Sequence, residues 1–251
     1  MDVVDLKEFY ASPLGQASRR IIAQRIRSRW GNLSGSRFLG LGFATPYMDA
    51  VREEAQAVLG FMPAEMGVSH WPAEGGSATA LVDEIDLPLP DSCIDCALIV
   101  HGLELTQNLN DMLQELWRVL APQGRALFVV PNRRGMWARF DSTPFGHGRP
   151  FSRQQLTQML REAQFSPSGW SQALFVPPIR RAFFIRSAVA WERMGLRLSP
   201  GFAGVIIVEA VKQVHAISTS RRVRRLAPSL KPAFNPQPAL TAVAPPELKM
   251  R

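Results

Sequence analysis

Phe38-Leu39-Gly40-Leu41-Gly42-Phe43-Ala44-Thr45-Pro46 is the stretch on which the fold turns. The run from Arg37 to Gly42 reads as a short strand that ends on glycines, and Pro46 suits the first position of a helix running to about Gln56. Glycine lets a backbone approach a ligand closely, and the helix that follows offers the positive end of its dipole. Strand, glycine loop and helix in that order open a nucleotide-type α/β fold.

Working outward, the flanking sequence keeps the same rhythm. Ala57 to Met62, Ser77 to Val82, Ile94 to Val100 and Arg125 to Val130 read as further strands. Leu109, Met112, Leu113, Leu116, Trp117 and Leu120 fall at helical spacing and Pro122-Gln123-Gly124 stops that helix. Upstream, Leu14, Ala17, Ile21, Ile22, Ile26 and Trp30 predict an amphipathic helix over Pro13 to Trp30. Downstream, Ser152 and Gln155 form a capping-box start for a helix to about Glu162, with a strand over Phe165 to Phe175. A helix over Ala182 to Leu196 and a last strand over Gly204 to Val211 complete the pattern. Strands alternating with helices predict a parallel sheet covered on both faces through right-handed crossovers.

Composition narrows the function classes. With 46% hydrophobic residues, 20% charged and 6 Trp in 251 residues, the chain can bury a sizeable core, which argues against a fibre or a largely disordered chain. One α/β domain is the expectation at this length. No run approaches about 18 uninterrupted apolar residues, and Met1 to Lys7 lacks a basic start followed by an apolar core, so neither a membrane span nor a secretory signal is expected. The net charge of +8 lies mostly in the tail: Lys212 to Arg251 holds eight basic residues against Glu247 alone, leaving 21 basic and 20 acidic residues in 1–211. A near-neutral body without a basic stripe and interleaved aromatics makes nucleic acid an unlikely partner, although the tail can touch any polyanion. Six of the final 24 residues are proline, and disorder is expected beyond Ser218. Cys93 and Cys96 form a C-x-x-C pair, but there is no second pair and His70, His101, His147 and His215 offer no metal spacing. They read as structural thiols in a reducing, cytoplasmic setting.

Three further passages give the pattern a family likeness. Asp83-Glu84-Ile85-Asp86-Leu87-Pro88-Leu89-Pro90-Asp91 and Ile94-Asp95 lead into the fourth strand, and Leu103-Glu104 follows it. Leu116-Trp117-Arg118-Val119-Leu120-Ala121-Pro122-Gln123-Gly124 then turns from helix into the fifth strand. In this order and at these spacings the chain resembles class I S-adenosylmethionine-dependent methyltransferases of the small-molecule, type 11 group, over roughly 37–131 and more loosely over 204–211. The resemblance implies a Rossmann-like three-layer sandwich whose seven-stranded sheet is mostly parallel with an antiparallel last strand. It implies S-adenosylmethionine as cofactor and methyl transfer to a small-molecule acceptor. The domain plan is a capping helix within 1–36, a methyltransferase-like domain over 37–217 with its cofactor half at 37–131 and substrate half at 132–217, and a basic tail over 218–251.

Carried over position by position, the motif is thinned. Gly40 stands where the family has an acid, Gly42 matches the first glycine of its loop, Ala44 replaces the second and Pro46 the third, with Phe43 between them. Met62 stands where an acid binds the ribose hydroxyls, with Glu65 three residues on, and a thioether does not replace a carboxylate there. Asp83 matches the acid that meets the adenine amino group, His101 falls where the fourth strand faces the cofactor, and Leu105 replaces the usual His. Two readings follow: a divergent methyltransferase using Gly40, Gly42, Phe43, Ala44, Met62, Asp83 and His101, or a degenerate scaffold serving as a partner-binding or regulatory subunit.

Methyl transfer is an in-line displacement, so positioning supplies much of it and a base is needed only for an acceptor that must lose a proton. Arg134, His147 and Arg149 are the substrate-side candidates, with His147 as candidate base and the arginines as anion holders, set in a glycine-flanked loop after the fifth strand. The bland alternative makes His147 a surface residue and the arginines solvated. Residues 176–201 carry more apolar side chains than one helix face needs, which marks a candidate protein interface or lipid-facing cover.

Overall fold

The computed structural model describes residues 1–198 and 200–214, of which Met1–Val214 form one compact unit. The expected tail over 218–251 lies outside the described residues. Seven strands form one sheet: β1 (Arg37–Gly42), β2 (Ala57–Pro63), β3 (Thr79–Val82), β4 (Ile94–Val100), β5 (Leu120–Pro131), β6 (Phe165–Ala173) and β7 (Val205–Lys212). Their order is β3-β2-β1-β4-β5-β7-β6. The first five are mutually parallel, and β7 runs antiparallel to both β5 and β6. The expected mostly parallel seven-stranded sheet is therefore present.

Helices α1 (Val3–Ala11), α2 (Pro13–Arg29), α3 (Asp49–Arg52), α4 (Leu109–Val119), α5 (Arg153–Glu162), α6 (Ala182–Arg186) and α7 (Ala188–Leu198) complete the layers. Strand alternation decides which helix packs where. Phe38, Cys96, Leu98, Leu127, Val129, Val205 and Ile207 point to the face covered by α1, α2 and Ala188 of α7. Leu39, Leu41, Ala97, Ile99, Phe128 and Val208 point to the face covered by α4 and α5.

Three elements depart from the sequence reading. The helix expected from Pro46 to Gln56 is instead a 3-10 turn at Thr45–Tyr47 and the single turn of α3. Beyond Arg52 the chain is drawn away: Glu54 pairs with Arg27 at 2.6 Å and accepts the Leu33 N–H, while Gln56 N–H donates to Ser36. The helix expected over 182–196 is broken between α6 and α7. Helix α1 had no counterpart in the sequence reading, although Asp2 and Asp5 form a capping box and Leu6, Phe9 and Tyr10 are its buried face.

The family-like passages hold the strands together. Asp95 accepts three hydrogen bonds from Arg37, two from the guanidinium at 2.9 Å and one from the backbone at 2.8 Å, clamping the start of β1 to β4. Arg118 of α4 donates to the Leu87 and Leu89 carbonyls and pairs with Asp91 and Glu115, fixing the loop before β4. Cys93 and Cys96 are both free thiols, and Cys96 is buried in the core.

Candidate functional site

In a sheet of this order, ligands sit at the carboxyl ends of β1 and β4, where the connections diverge to opposite faces. The chain fills that position with its own side chains. Gly40 of β1 lies in register with Gly60 of β2. A Cβ at Gly40 would stand 2.5 Å from the Met48 sulfur, and one at Gly60 would stand 2.8 Å from the Thr79 methyl, with the Met48 methyl beyond it at 3.4 Å. The space cleared at Gly40 is thus taken by the Met48 thioether, which is fully buried, and the space at Gly60 by the Thr79 methyl. Gly42 has a different reason: its φ is +81° and a Cβ there would collide with the Val100 carbonyl, so it lets β1 turn tightly against β4.

Above Met48 lies an aromatic cluster that α1 completes. Tyr10 stacks on Phe43 with ring centroids 5.8 Å apart and meets Tyr47 and His101 edge-on. Its hydroxyl lies 3.0 Å from the Tyr47 hydroxyl and 2.9 Å from His101 Nε2, and His101 Nδ1 lies 3.1 Å from Glu104 Oε1. One polarity satisfies this chain: Tyr47 donates to Tyr10, Tyr10 donates to His101 Nε2, and Nδ1–H donates to the Glu104 carboxylate. His101 takes a left-handed backbone, φ +50°, to aim its ring at Tyr10. All four side chains are buried, and Glu104 Oε2 finds no partner among the described residues. Burial holds both phenols protonated well above their ordinary range.

The sequence-derived residues divide accordingly. Gly40, Gly42, Phe43, Ala44, Met62 and His101 do converge at the carboxyl edge of the sheet, but as packed core. Met62 is fully buried at the end of β2, its sulfur receiving the Ser69 N–H at 3.4 Å. Asp83 is exposed after β3 and accepts the Ile85 N–H. Glu65 lines a cavity of about 120 Å³ with Met1, Glu84, Gly102, Leu105 and Thr106. On the substrate side, His147 Nε2–H donates to the Asp141 carbonyl at 2.7 Å, and the side chain lines a separate cavity with Asp5, Glu8 and Thr143. Arg134 and Arg149 are exposed, and among the described residues neither guanidinium has a hydrogen-bond or ion-pair partner. Tyr10, Tyr47 and Met48 were missed by the sequence reading, and Glu104 entered it only within the Leu103-Glu104 passage, without a role of its own. The first three fall on buried local patterns that carry no motif.

Comparison with known proteins follows this geometry. Residues 39–128 match the family model described as a methyltransferase domain. The chain has the class I methyltransferase fold. An S-adenosylmethionine-dependent methyltransferase from Thermotoga maritima superposes with a TM-score of 0.60 at 17% identity, covering 84% of this chain and 96% of that one. A Mesorhizobium loti methyltransferase of the same cofactor dependence gives 0.53 at 16% identity, over 75% and 96% of the two chains. The cyclase SpnF gives 0.54 at 22% identity, over 80% and 82%. No curated protein matches the sequence. Residues 39–128 are thus similar to a methyltransferase domain, and the solved structures share the fold, two of them being named for S-adenosylmethionine dependence.

The residues at the seat do not fit that cofactor. Ligand pockets for molecules of such size run to about 300 Å³ or more, whereas the cavity at the mouth of β2 and β4 measures about 120 Å³. Met62, expected at the ribose position from the family likeness, is a fully buried thioether, and the glycine loop is backed by Met48 and Tyr10. No helix among the described residues is long and apolar enough to cross a membrane.

Proposed function

We propose that this chain retains the methyltransferase fold without its cofactor chemistry and works by binding, as a partner-binding or regulatory subunit. The observation that carries the reading is the filled edge of the sheet, in which Met48 occupies the space above Gly40 and Tyr10 stacks on Phe43 of the glycine loop and bridges to His101. A ligand there would have to displace a fully buried thioether and break the Tyr10 bridge, each at a cost of order 1–3 kcal/mol. The surface through which the chain acts is the face over 176–201, where Phe183, Val189, Met194 and Leu196 are exposed. We assign the seat to 37–131 together with Tyr10 of α1, within the compact unit Met1–Val214.

Calorimetric titration with S-adenosylmethionine and S-adenosylhomocysteine tests this reading. No heat of binding at millimolar ligand is expected, and no cofactor should be retained through purification. Micromolar binding that Asp83→Ala abolishes would overturn it. That result would favour the second reading, methyl transfer to a small-molecule acceptor in the cytoplasm with Arg134, His147 and Arg149 on the acceptor side. The methyltransferase-domain match and the exposed Asp83 carboxylate speak for that reading. It requires α1 to swing out with Tyr10.

A further inference from the structure

The segment between β6 and β7 presents a surface of unusual uniformity. Every side chain exposed between residues 180 and 197 is arginine, alanine or a large apolar group. Arg181, Arg186, Arg193 and Arg197 are all exposed, whereas Arg180 lines the cavity that holds Asp5, Glu8 and Asp141 and is not part of this face. Between Gln164 and Val208 the sequence holds a single acid, Glu192, and it is buried with its Oε1 accepting the Phe175 N–H. Three elements supply the apolar groups: Phe183 of α6 at 71% exposure, Val189 of α7 at 61%, and Phe202 of the 3-10 turn at Pro200–Phe202 at 66%. On α7, Arg193 and Arg197 lie outward between Val189 and Leu196 on one shoulder and Met194 on the other, while Ala188 and Glu192 face inward.

We infer that this face docks on an anionic phospholipid surface. Apolar side chains interleaved with arginine, with neither exposed acid nor neutral polar group, match the composition of helices that lie in a membrane interface. The protruding Phe183, Val189 and Phe202 enter the headgroup boundary, while the long arginine stems let the guanidiniums stay level with the phosphates. Arginine suits phosphate because its planar fork donates two parallel hydrogen bonds. A protein partner would have to supply an acceptor for each guanidinium in register. A bilayer of acidic lipids supplies them everywhere. The inference names the occupant of the face through which the chain is proposed to act and rests on that reading for its purpose, but lipid partition and cofactor titration fail independently.

The test uses the full chain with phosphatidylcholine vesicles, with and without phosphatidylglycerol, in a sedimentation assay. Because the C-terminal arginines also attract anions, a background with Arg221, Arg222, Arg224 and Arg225 each changed to Gln separates the two contributions. Partition onto the phosphatidylglycerol vesicles alone is expected, and it should persist in that background. Each arginine near an acidic surface strengthens binding by about fivefold, so Arg193→Gln with Arg197→Gln should weaken partition about 25-fold, with unchanged far-ultraviolet circular dichroism. Phe183→Trp should show a blue-shifted emission on the vesicles and quenching by brominated lipid. Absence of partition, partition that the α7 arginine changes leave intact, or an emission of the Phe183→Trp variant that does not move on saturating vesicles would each overturn the inference. Stoichiometric capture of an acidic protein without vesicle binding would do the same.

Discussion

Tyr10 bridges α1 to the body of the protein, and Tyr10→Phe isolates that bridge. The change keeps the ring stacked on Phe43 and removes only the hydroxyl that lies 3.0 Å from Tyr47 and 2.9 Å from His101. Two buried polar groups lose their partner at once, the Tyr47 hydroxyl and His101 Nε2. Leaving a buried group unsatisfied costs about 1–3 kcal/mol, so a loss of about 2–4 kcal/mol is expected. For a unit of this size that lowers the thermal midpoint by roughly 5–15 °C. Tyr47→Phe removes an end of the chain, not its middle, and should cost about 1 kcal/mol. The double variant should then cost less than the sum of the two, because Tyr47 has nothing left to lose once Tyr10 is a phenylalanine. Urea unfolding of the four proteins, with unchanged dependence on denaturant, measures each value. A Tyr10→Phe protein as stable as the parent, or strict additivity in the double variant, would refute the reasoning.

Tyr10 and Tyr47 are the only two tyrosines of the chain, so a spectrophotometric phenol titration reports on the seat alone. Burial raises both above their ordinary value, so the native state keeps protons that the unfolded chain releases. Stability is therefore whole below about pH 10 and falls as pH rises beyond it, by up to about 1.4 kcal/mol per pH unit for each phenol. Phenolate absorbance should appear only with unfolding, and a reversible titration near pH 10 in the folded protein would contradict this. Gly40→Ala puts a Cβ 2.5 Å from the Met48 sulfur and should destabilise by about 1–3 kcal/mol, with part of the loss recovered when Met48→Leu or Met48→Ala is added. No recovery in the double variant would mean that Met48 does not use that space. Asp95 is held below the usual carboxylate range, chiefly by its hydrogen bonds from the Arg37 side chain. Its contribution is present above the ordinary aspartate value and lost as pH falls from there through the lowered value of the folded state, so Asp95→Asn should weaken the protein near neutral pH and converge with the parent in acid strong enough to protonate the clamped carboxylate. Parallel stability curves for parent and variant across that range would count against the clamp.

Much of the fold lies open in the sequence because its strands are short and bounded. The apolar run at Ile94–Val100 and the helical spacing from Leu109 to Val119 depend on local pattern, and the structure places both elements there. The helix expected after Pro46 fails because long-range partners, Arg27 for Glu54 and Ser36 for Gln56, draw the chain off before a second turn forms. The seat is legible only by what it lacks: Ala44, Pro46 and Met62 stand where a glycine or acid would. What replaces the ligand is hidden, because Tyr10 meets His101 from 91 residues away and Met48 reaches across two strands. No periodicity joins such positions. The capping box at Asp2 and the spacing of Leu6, Phe9 and Tyr10 were the local signal that a helix stood ready to cover the sheet.

Met48 and Met62 are the buried side chains proposed to stand in the place of a cofactor. Carbon-13 labelling of the methionine methyl groups makes both visible by nuclear magnetic resonance, with Met48→Leu and Met62→Leu to assign them. Their signals should stay unmoved by millimolar S-adenosylhomocysteine, because both side chains are buried without room for a ligand. A saturable shift of both signals would show the seat opening to admit the cofactor, and would contradict the account.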